Sequence, residues 1–500
     1  MKNISRLIIL IATSCSAVFS AMAQQTAEPQ QESLQQQVAA IAEGDVFGQA
    51  VVGICARTGD GRTLIDVNAE DMMTPASNMK LISTGTALHA LGDGYRYRTR
   101  IGYDGSIIEG VLMGDLYIMG GGDPTTASKD SIAVPVEHTF AKWERFIRDA
   151  GIREIDGRII GSSGDFFPGM SEEPTWLWND IGTYYGAGVT GLMFYENMQS
   201  FEAGAGTAPG EPISIRPSYP EAPWMEFRYD CSTGKAGTGD QLYMYTSGLA
   251  PVAEVRGTLA ADKKSKRVDC SNKFPELTCA HYFSKWLEEH GIKCNGEASD
   301  TRLGRVQTPD SLTVIGSTGS PSLRRIVYET NHASNNLFAE TIFRTLGREL
   351  KQHGSYDSSY VAVRNVLKEL GVNTAKGFCI QDGSGLSRQN FVSADFFCRY
   401  LTAMMNSPCF ESFVESLPSP GGKGTLAYNM KNYPADMKAR IKVKSGSMNG
   451  VRCYSGYIIP REGCKDETIV FSIMINNCTA PTWKVRPLMD KIMGMLAEQN

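Results

Sequence analysis

Ser77 and Lys80, in the stretch "TPASNMKLIST", stand three residues apart. On a helix that spacing puts both side chains on one face, so a hydroxyl and an amine can serve as nucleophile and base. The amine must first lose its proton, which burial and a neighbouring cation both favour. Spacing alone decides nothing, because a chain of this length holds about one or two such pairs by chance. Ser232 and Lys235 in "CSTGKAGTGD" form another. Two further groupings carry chemistry. Lys444-Ser445-Gly446 in "VKSGSMNG" offers a second ammonium, a hydroxyl suited to a carboxylate, and a glycine that lets a substrate backbone approach. Read alone, it is equally an amphipathic strand edge with a turn. Ser334 and Asn336 in "ASNNLFAE" offer a hydroxyl that passes protons and an amide that holds both a lysine and a carbonyl. Helix N-capping accounts for the same residue types. A histidine-based arrangement finds little support. There is no G-x-S-x-G elbow, and the six histidines (89, 138, 281, 290, 332 and 353) show no triad context. His332, near Ser334, is the one of interest, although packing at a helix flank explains it.

The elements that must position these groups can be read from pattern. "GQAVVGICART", "GDG" and "RTLIDVNAED" predict a β-hairpin. A buried helix follows, with Thr74 as N-cap, Pro75 in its first turn and Gly92 at its end. Met79, Leu81, Ile82, Ala87, Leu88 and Leu91 repeat at helical spacing. Ser232-x-x-Lys235 lacks such a frame, since Ala-Gly-Thr-Gly follows it. Ser334 and Asn336 fall at a helix junction, and Lys444 to Gly446 on a strand. From about residue 95 to residue 300 the texture is short strands and many glycines, interrupted by two helices, "TFAKWERFIRDAG" and "TCAHYFSKWLEEHG". Helices dominate again afterwards, and the chain ends strand, turn, strand, helix. One α+β domain split by a large β-rich insertion follows from this order.

Five hundred residues exceed a single core. The net charge of -5 gives no basic face for nucleic acid. The N-terminus reads as a secretory signal peptide over 1–23, with Lys2 and Arg6, an apolar run over 7–19 and Ala21-Met22-Ala23. Cys15 stands in a poor lipobox. No later stretch is apolar and long enough to span a bilayer, so the mature form is expected without a transmembrane segment, in the periplasm or cell envelope. A Gln-rich linker over 24–37 turns helical around 33–42. Eleven cysteines remain after Cys15, with no C-x-x-C. Pairing within residues 231–294 is conceivable, whereas Cys55 in "AVVGICA" reads as a buried apolar position; no bridge is assigned. The expected division is 24–95 and 306–500 for the split domain and 96–305 for the insertion, in two subdomains. Three other strings carry little. "GAGVTG" (186–191) lacks a βαβ frame and precedes a strand-like "LMFYENM", "GGGDPTT" reads as a turn between strands, and no zinc spacing occurs, so neither metal nor cofactor is expected.

Taken together and in order, Ser-x-x-Lys, Ser-x-Asn and Lys-Ser-Gly resemble the penicillin-recognising serine enzymes. With "GDLYIMGGGDPTT", "GRIIG", "WLWND", "VRGTL", "NNLFAE" and "DGSGLSRQN", the chain is similar to low-molecular-mass penicillin-binding proteins of the D-alanyl-D-alanine carboxypeptidase/endopeptidase type. Class A β-lactamases share the three motifs but have only a short stretch between the first two, against about 250 residues here. Ser445 replaces the commoner Thr, and Asn335 stands where Asp is frequent. The resemblance implies a transpeptidase/β-lactamase-like fold and a DD-peptidase of peptidoglycan stem peptides, acylated by β-lactams. It implies Ser77 as nucleophile, Lys80 as base, Ser334 as proton relay, and Asn336 as the group orienting substrate and Lys80. Lys444 and Ser445 would hold the terminal carboxylate, with Gly446 beside them and the N–H groups of Ser77 and Ser447 as oxyanion hole. It also suggests Asp180, Tyr185, Arg388 and Asn449 around the stem-peptide side chain, although Asp180 and Arg388 also fit structural turn roles. A β-lactamase and a non-catalytic wall-binding protein remain alternatives.

Overall fold

The run expected as a hairpin forms β1 (Val51–Thr58) and β2 (Thr63–Val67). The late strands form β3 (Ile441–Met448), β4 (Val451–Ile458) and β5 (Ile469–Asn476). In this computed structural model, which describes residues 32–164 and 166–499, these five strands make one antiparallel sheet in the order β2-β1-β5-β4-β3. The expected signal peptide lies outside the described residues. Alternation along the strands sends side chains to two cores. Ile54, Ala56, Ile473 and Ile475 join Val38 and Leu496 from the terminal helices Leu34–Ala42 and Thr482–Ala497. Cys55 and Met474 face the other way, onto the helices Met79–Leu91 and Ala394–Met404. β5 lies in mid-sheet and is buried throughout, which its nearly continuous apolar sequence allows.

Between the hairpin and the late strands lies the insertion. Its five-stranded sheet runs Ser299–Asp300, Ile159–Ser162, Leu116–Met119, Arg98–Tyr103, Thr313–Gly319. The helices Val136–Asp149 and Pro275–Glu289 cover it through Phe140, Trp143 and Phe283. Two three-stranded sheets between Met198 and Ser271 enclose a separate core around Phe201, Met244 and Val255. The chain was expected to return at residue 306, but Thr313–Gly319 still pairs antiparallel with Arg98–Tyr103. The inserted sheets therefore extend to Gly319, and the first and last strands of the insertion are neighbours. Adjacent exit and entry points let the core close without distortion.

One local reading changes. "LMFYENM" is not a strand at its start: Tyr195–Asn197 form a 3₁₀ turn with positive φ, and the strand begins at Met198. Asn197 holds this turn by accepting from Phe194 N and donating to the Gly188 carbonyl. All eleven cysteines among the described residues are free, with Cys55 buried.

Candidate active site

Ser77 sits in a 3₁₀ turn, Ala76–Asn78, that leads into the α-helix Met79–Leu91 and ends at Gly92. Thr74 does not cap this helix. Its N–H and carbonyl are both taken by the side-chain amide of Asn476 at the end of β5, so a sheet contact replaces the local cap. Ala76 has φ +44°, a left-handed conformation that costs a non-glycine residue about 1–2 kcal/mol. Asn78 donates to Ser455 Oγ on β4 at 2.7 Å, which itself bonds Ser472 Oγ on β5. The serine therefore projects from a turn fastened to three points of the sheet. Gly446 closes the contact from β3. A Cβ there would come within 2.6 Å of the Pro75 carbonyl. The glycine was expected to admit a substrate backbone; what the packing shows is that it admits the turn that carries Ser77.

Lys80 is fully buried. Its Nζ lies 3.1 Å from Ser77 Oγ, 2.7 Å from Asn336 Oδ1 and 2.8 Å from the Ser384 carbonyl. Burial pulls the ammonium down to about 7, against the opposing negative fields of Glu340 and Asp382. Glu340, one helical turn beyond Asn336, is buried and accepts from the N–H groups of Gly383 and Ser384; burial pushes its carboxyl up. Asp382 accepts from Gly385 N, Ser387 N, Asn390 Nδ2 and Trp176 Nε1. The loop "DGSGLSRQN" is thus a polar brace that presents the Ser384 carbonyl to Lys80. Ser83 Oγ bonds the Gly383 carbonyl at 2.7 Å and ties the brace to the serine's helix.

Ser334 occupies the junction of the helices Leu323–Ala333 and Asn336–Lys351, in a left-handed conformation with φ +56°. Asn335 caps the second helix by accepting from Phe338 N, and this leaves Asn336 free to face Lys80. Lys444 Nζ lies 3.1 Å from Ser334 Oγ and 2.9 Å from the Ser445 carbonyl. Burial, with repulsion from Lys80 added, pushes the Lys444 ammonium well below the usual lysine range. Ser445 Oγ meets Thr425 Oγ1 at 2.8 Å. Ser77, Ser334, Ser445, Gly446 and Ser447 line one cavity of about 270 Å³. A hydroxyl nucleophile, a buried amine poised near neutrality and a second amine–hydroxyl pair are the parts of lysine-assisted acyl transfer.

Sequence reading missed several members of this site. Thr425, Arg452 and Arg486 line the same cavity. Arg452 is held by the carbonyls of Met448 and Val451 and by Thr482 Oγ1. Arg486, half-buried on the C-terminal helix, makes no hydrogen bond or ion pair among the described residues. Glu340 was discoverable, since it stands four residues beyond Asn336 on one helix face. Nothing local marks Thr425 or Arg486.

Of the four side-chain pocket candidates, three share a region. The Tyr185 carbonyl accepts from Asn336 Nδ2 at 2.8 Å, and Tyr185 Oη donates to Asp180 Oδ1 at 3.2 Å. Burial raises the Asp180 carboxyl, while Tyr185 and the Arg388 guanidinium lower it. Asn449 sits apart, exposed in the β3–β4 turn and lining a different cavity with Asn477 and Thr479. His332 stacks on Tyr328 and bonds its carbonyl, a packing role. Ser232 lies on a strand and Lys235 is exposed in the turn after it. Among the described residues no group of three or more His, Cys, Asp or Glu side chains converges as metal ligands.

Residues 34–499 match the D-Ala-D-Ala carboxypeptidase 3 (S13) family. The chain belongs to that family. It is an enzyme, a serine peptidase of the D-alanyl-D-alanine type. A D-alanyl-D-alanine carboxypeptidase of Actinomadura sp. (strain R39) is 28% identical over 461 residues, covering 90% of this chain and 82% of that protein. D-alanyl-D-alanine carboxypeptidase DacB of Haemophilus influenzae is 22% identical over 442 residues, 86% of each. The crystal structure of penicillin binding protein 4 (dacB) from Haemophilus influenzae superposes with a TM-score of 0.77 at 20% identity, covering 92% of this chain and 98% of that one. The same protein complexed with a β-lactam gives 0.73 at 19% identity, covering 93% and 99%. These likenesses establish the penicillin-recognising fold for this S13 family member.

Proposed function

We propose that Ser77 is the nucleophile of this peptidase and that Lys80, neutral in its buried site, is the base. The observation that carries this is the 3.1 Å approach of Lys80 Nζ to Ser77 Oγ, with the amine's ordinary pKa lowered to about 7. Lys80 takes the hydroxyl proton as Ser77 Oγ adds to the carbonyl of a D-Ala–D-Xaa bond. The oxyanion is met by the N–H groups of Ser77 and Ser447, an arrangement whose loss typically costs about 10²–10³ in rate. As the C–N bond breaks, Ser334, with Lys444 beside it, gives its hydroxyl proton to the leaving amine and takes up in its place the proton that Lys80 accepted, so that Lys80 is again neutral. Lys444 and Ser445 hold the substrate's terminal carboxylate, and water then hydrolyses the Ser77 ester. Asn336 fixes Lys80 and the substrate carbonyl. Asp180, Tyr185 and Arg388 receive the stem-peptide side chain.

The substrate on this reading is the stem peptide of peptidoglycan. β-Lactams acylate the same serine and leave slowly. Export to the periplasm or cell envelope is supported by the charged, apolar and A-x-A segments of residues 1–23. No helix among the described residues is long and apolar enough to cross a membrane. Incubation with pentapeptide and cross-linked muropeptides, followed by mass, tests the reaction: loss of one alanine marks carboxypeptidase activity, and splitting of cross-links marks endopeptidase activity. Covalent capture of labelled penicillin by Ser77→Ala would falsify the assignment of the nucleophile.

A further inference from the structure

A second cavity, of about 1230 Å³, lies between the insertion's five-stranded sheet and the helix Asn336–Lys351. None of its lining residues belongs to the Ser77 cavity. The sequence "RYRTR" gives it its character. Arg96, Arg98 and Arg100 alternate with the buried Tyr97 and Thr99, so three guanidiniums point to one face. Arg305 and Arg348 add two more from other walls. Among the described residues two carboxylates line the cavity, Asp310 and Glu349, and Glu349 accepts from Tyr95 Oη.

Among the described residues none of these arginines is ion-paired to a carboxylate. The side chains of Arg98, Arg100 and Arg305 make no hydrogen bond or ion pair among the described residues, while Arg96 bonds the Ser320 carbonyl and Arg348 bonds the Gln352 carbonyl and lies over the Phe166 ring. Across the strands Arg98 faces Gly319, and Arg100 faces Ser317 and Met119. Elsewhere in the insertion the sheets do the opposite: Arg216 lies opposite Glu202 and is ion-paired to it. On a chain of net charge -5, five guanidiniums around one cavity, none ion-paired among the described residues, suit an anion from outside, because guanidinium groups bind carboxylate or phosphate bidentately. The walls also carry hydroxyl, amide and aromatic groups, including Thr308, Gln307, Tyr95 and Phe166. That mixture suits a peptide–glycan chain better than a bare phosphate polymer.

We propose that this groove is a second binding site, for a carboxylate-bearing strand of peptidoglycan lying away from the bond that is cut. The proposal rests on peptidoglycan being the substrate: a cavity of about 270 Å³ around Ser77 holds only the neighbourhood of one bond, and the rest of the polymer must lie across the surface. The test uses the full chain carrying Ser77→Ala, so that the wall is not digested. Its retention on purified sacculi is measured with and without Arg98→Glu/Arg100→Glu, and soluble uncross-linked muropeptides or inorganic polyphosphate serve as competitors. The expected result is a loss of affinity of about tenfold or more in the double variant, with muropeptides displacing the parent protein. Unchanged retention overturns the site. Displacement by polyphosphate but not by muropeptides overturns the ligand class. Acylation by labelled penicillin of the double variant with Ser77 intact reports its fold. If that variant does not fold, Arg98→Gln/Arg100→Gln carries the same measurement. Failure of the wild type to become acylated sinks the peptidase reading instead, so the two failures are separable.

Discussion

Titration of Lys80 is the most exposed consequence of this site. Its Nζ is fully buried among Ser77, Asn336 and Ser384, and burial brings its pKa to about 7. If the neutral amine is the base, acylation rises with pH, because the neutral fraction rises. For a pKa near 7 that fraction climbs from about one tenth at pH 6 to about nine tenths at pH 8, a tenfold gain. The assay is the second-order rate of labelled-penicillin acylation across pH 5.5 to 9, with Lys80→Met expected to abolish it. The same shift has a thermodynamic counterpart of fixed sign. The folded-state pKa lies below the unfolded value of 10.5, so between pH 7 and 10.5 the unfolded chain binds more protons at this residue and stability rises with pH. From pH 7 to pH 9 this contributes about 2 kcal/mol. Urea melts of wild type and Lys80→Met at the two pH values isolate it as a difference in slope. A flat acylation profile from pH 6 to 8, or equal slopes in the two proteins, refutes the reasoning.

Other substitutions probe the frame around that lysine. Asn336→Ala removes a 2.7 Å acceptor from Lys80 and a donor from the Tyr185 carbonyl; acylation should fall about 10–100-fold, and a change under threefold would remove Asn336 from the positioning role. Gly385→Ala places a side chain at φ +85° and against the Ala76 carbonyl. A destabilisation of about 2–4 kcal/mol in urea is expected, and an unchanged midpoint would mean that the brace does not press on the turn that carries Ser77. Arg486 lines the Ser77 cavity and makes no hydrogen bond or close ion pair among the described residues. Arg486→Ala should lower kcat/KM about tenfold for peptides with a free terminal carboxylate and spare the amidated analogue. Equal loss on both substrates would count against a carboxylate contact.

The chain order of residue types determined a good deal of this protein. Each of the three motifs lies on one local element, a turn into a helix, a helix junction or a strand, so its spacing could be read where it stands. Alternation in "GQAVVGICART" and periodicity after Met79 likewise report local geometry. The failures came where a distant segment outbid a local preference. Thr74 would cap a helix in isolation, but Asn476, 402 residues away, takes both of its backbone groups. Gly446 lines the cavity, and its backbone also meets a demand that no local pattern shows, the close approach of the turn at Pro75. Tertiary structure alone set the chemistry of Lys80, through Asn336 and Ser384, 256 and 304 positions along the chain. It also brought Thr425 and Arg486 to the cavity and set Arg98 and Arg100 of "RYRTR" opposite uncharged cross-strand neighbours. A residue type is legible in sequence, but a shifted proton affinity depends on desolvation and on neighbouring charge. Those are properties of the folded surroundings, which only the packed chain supplies.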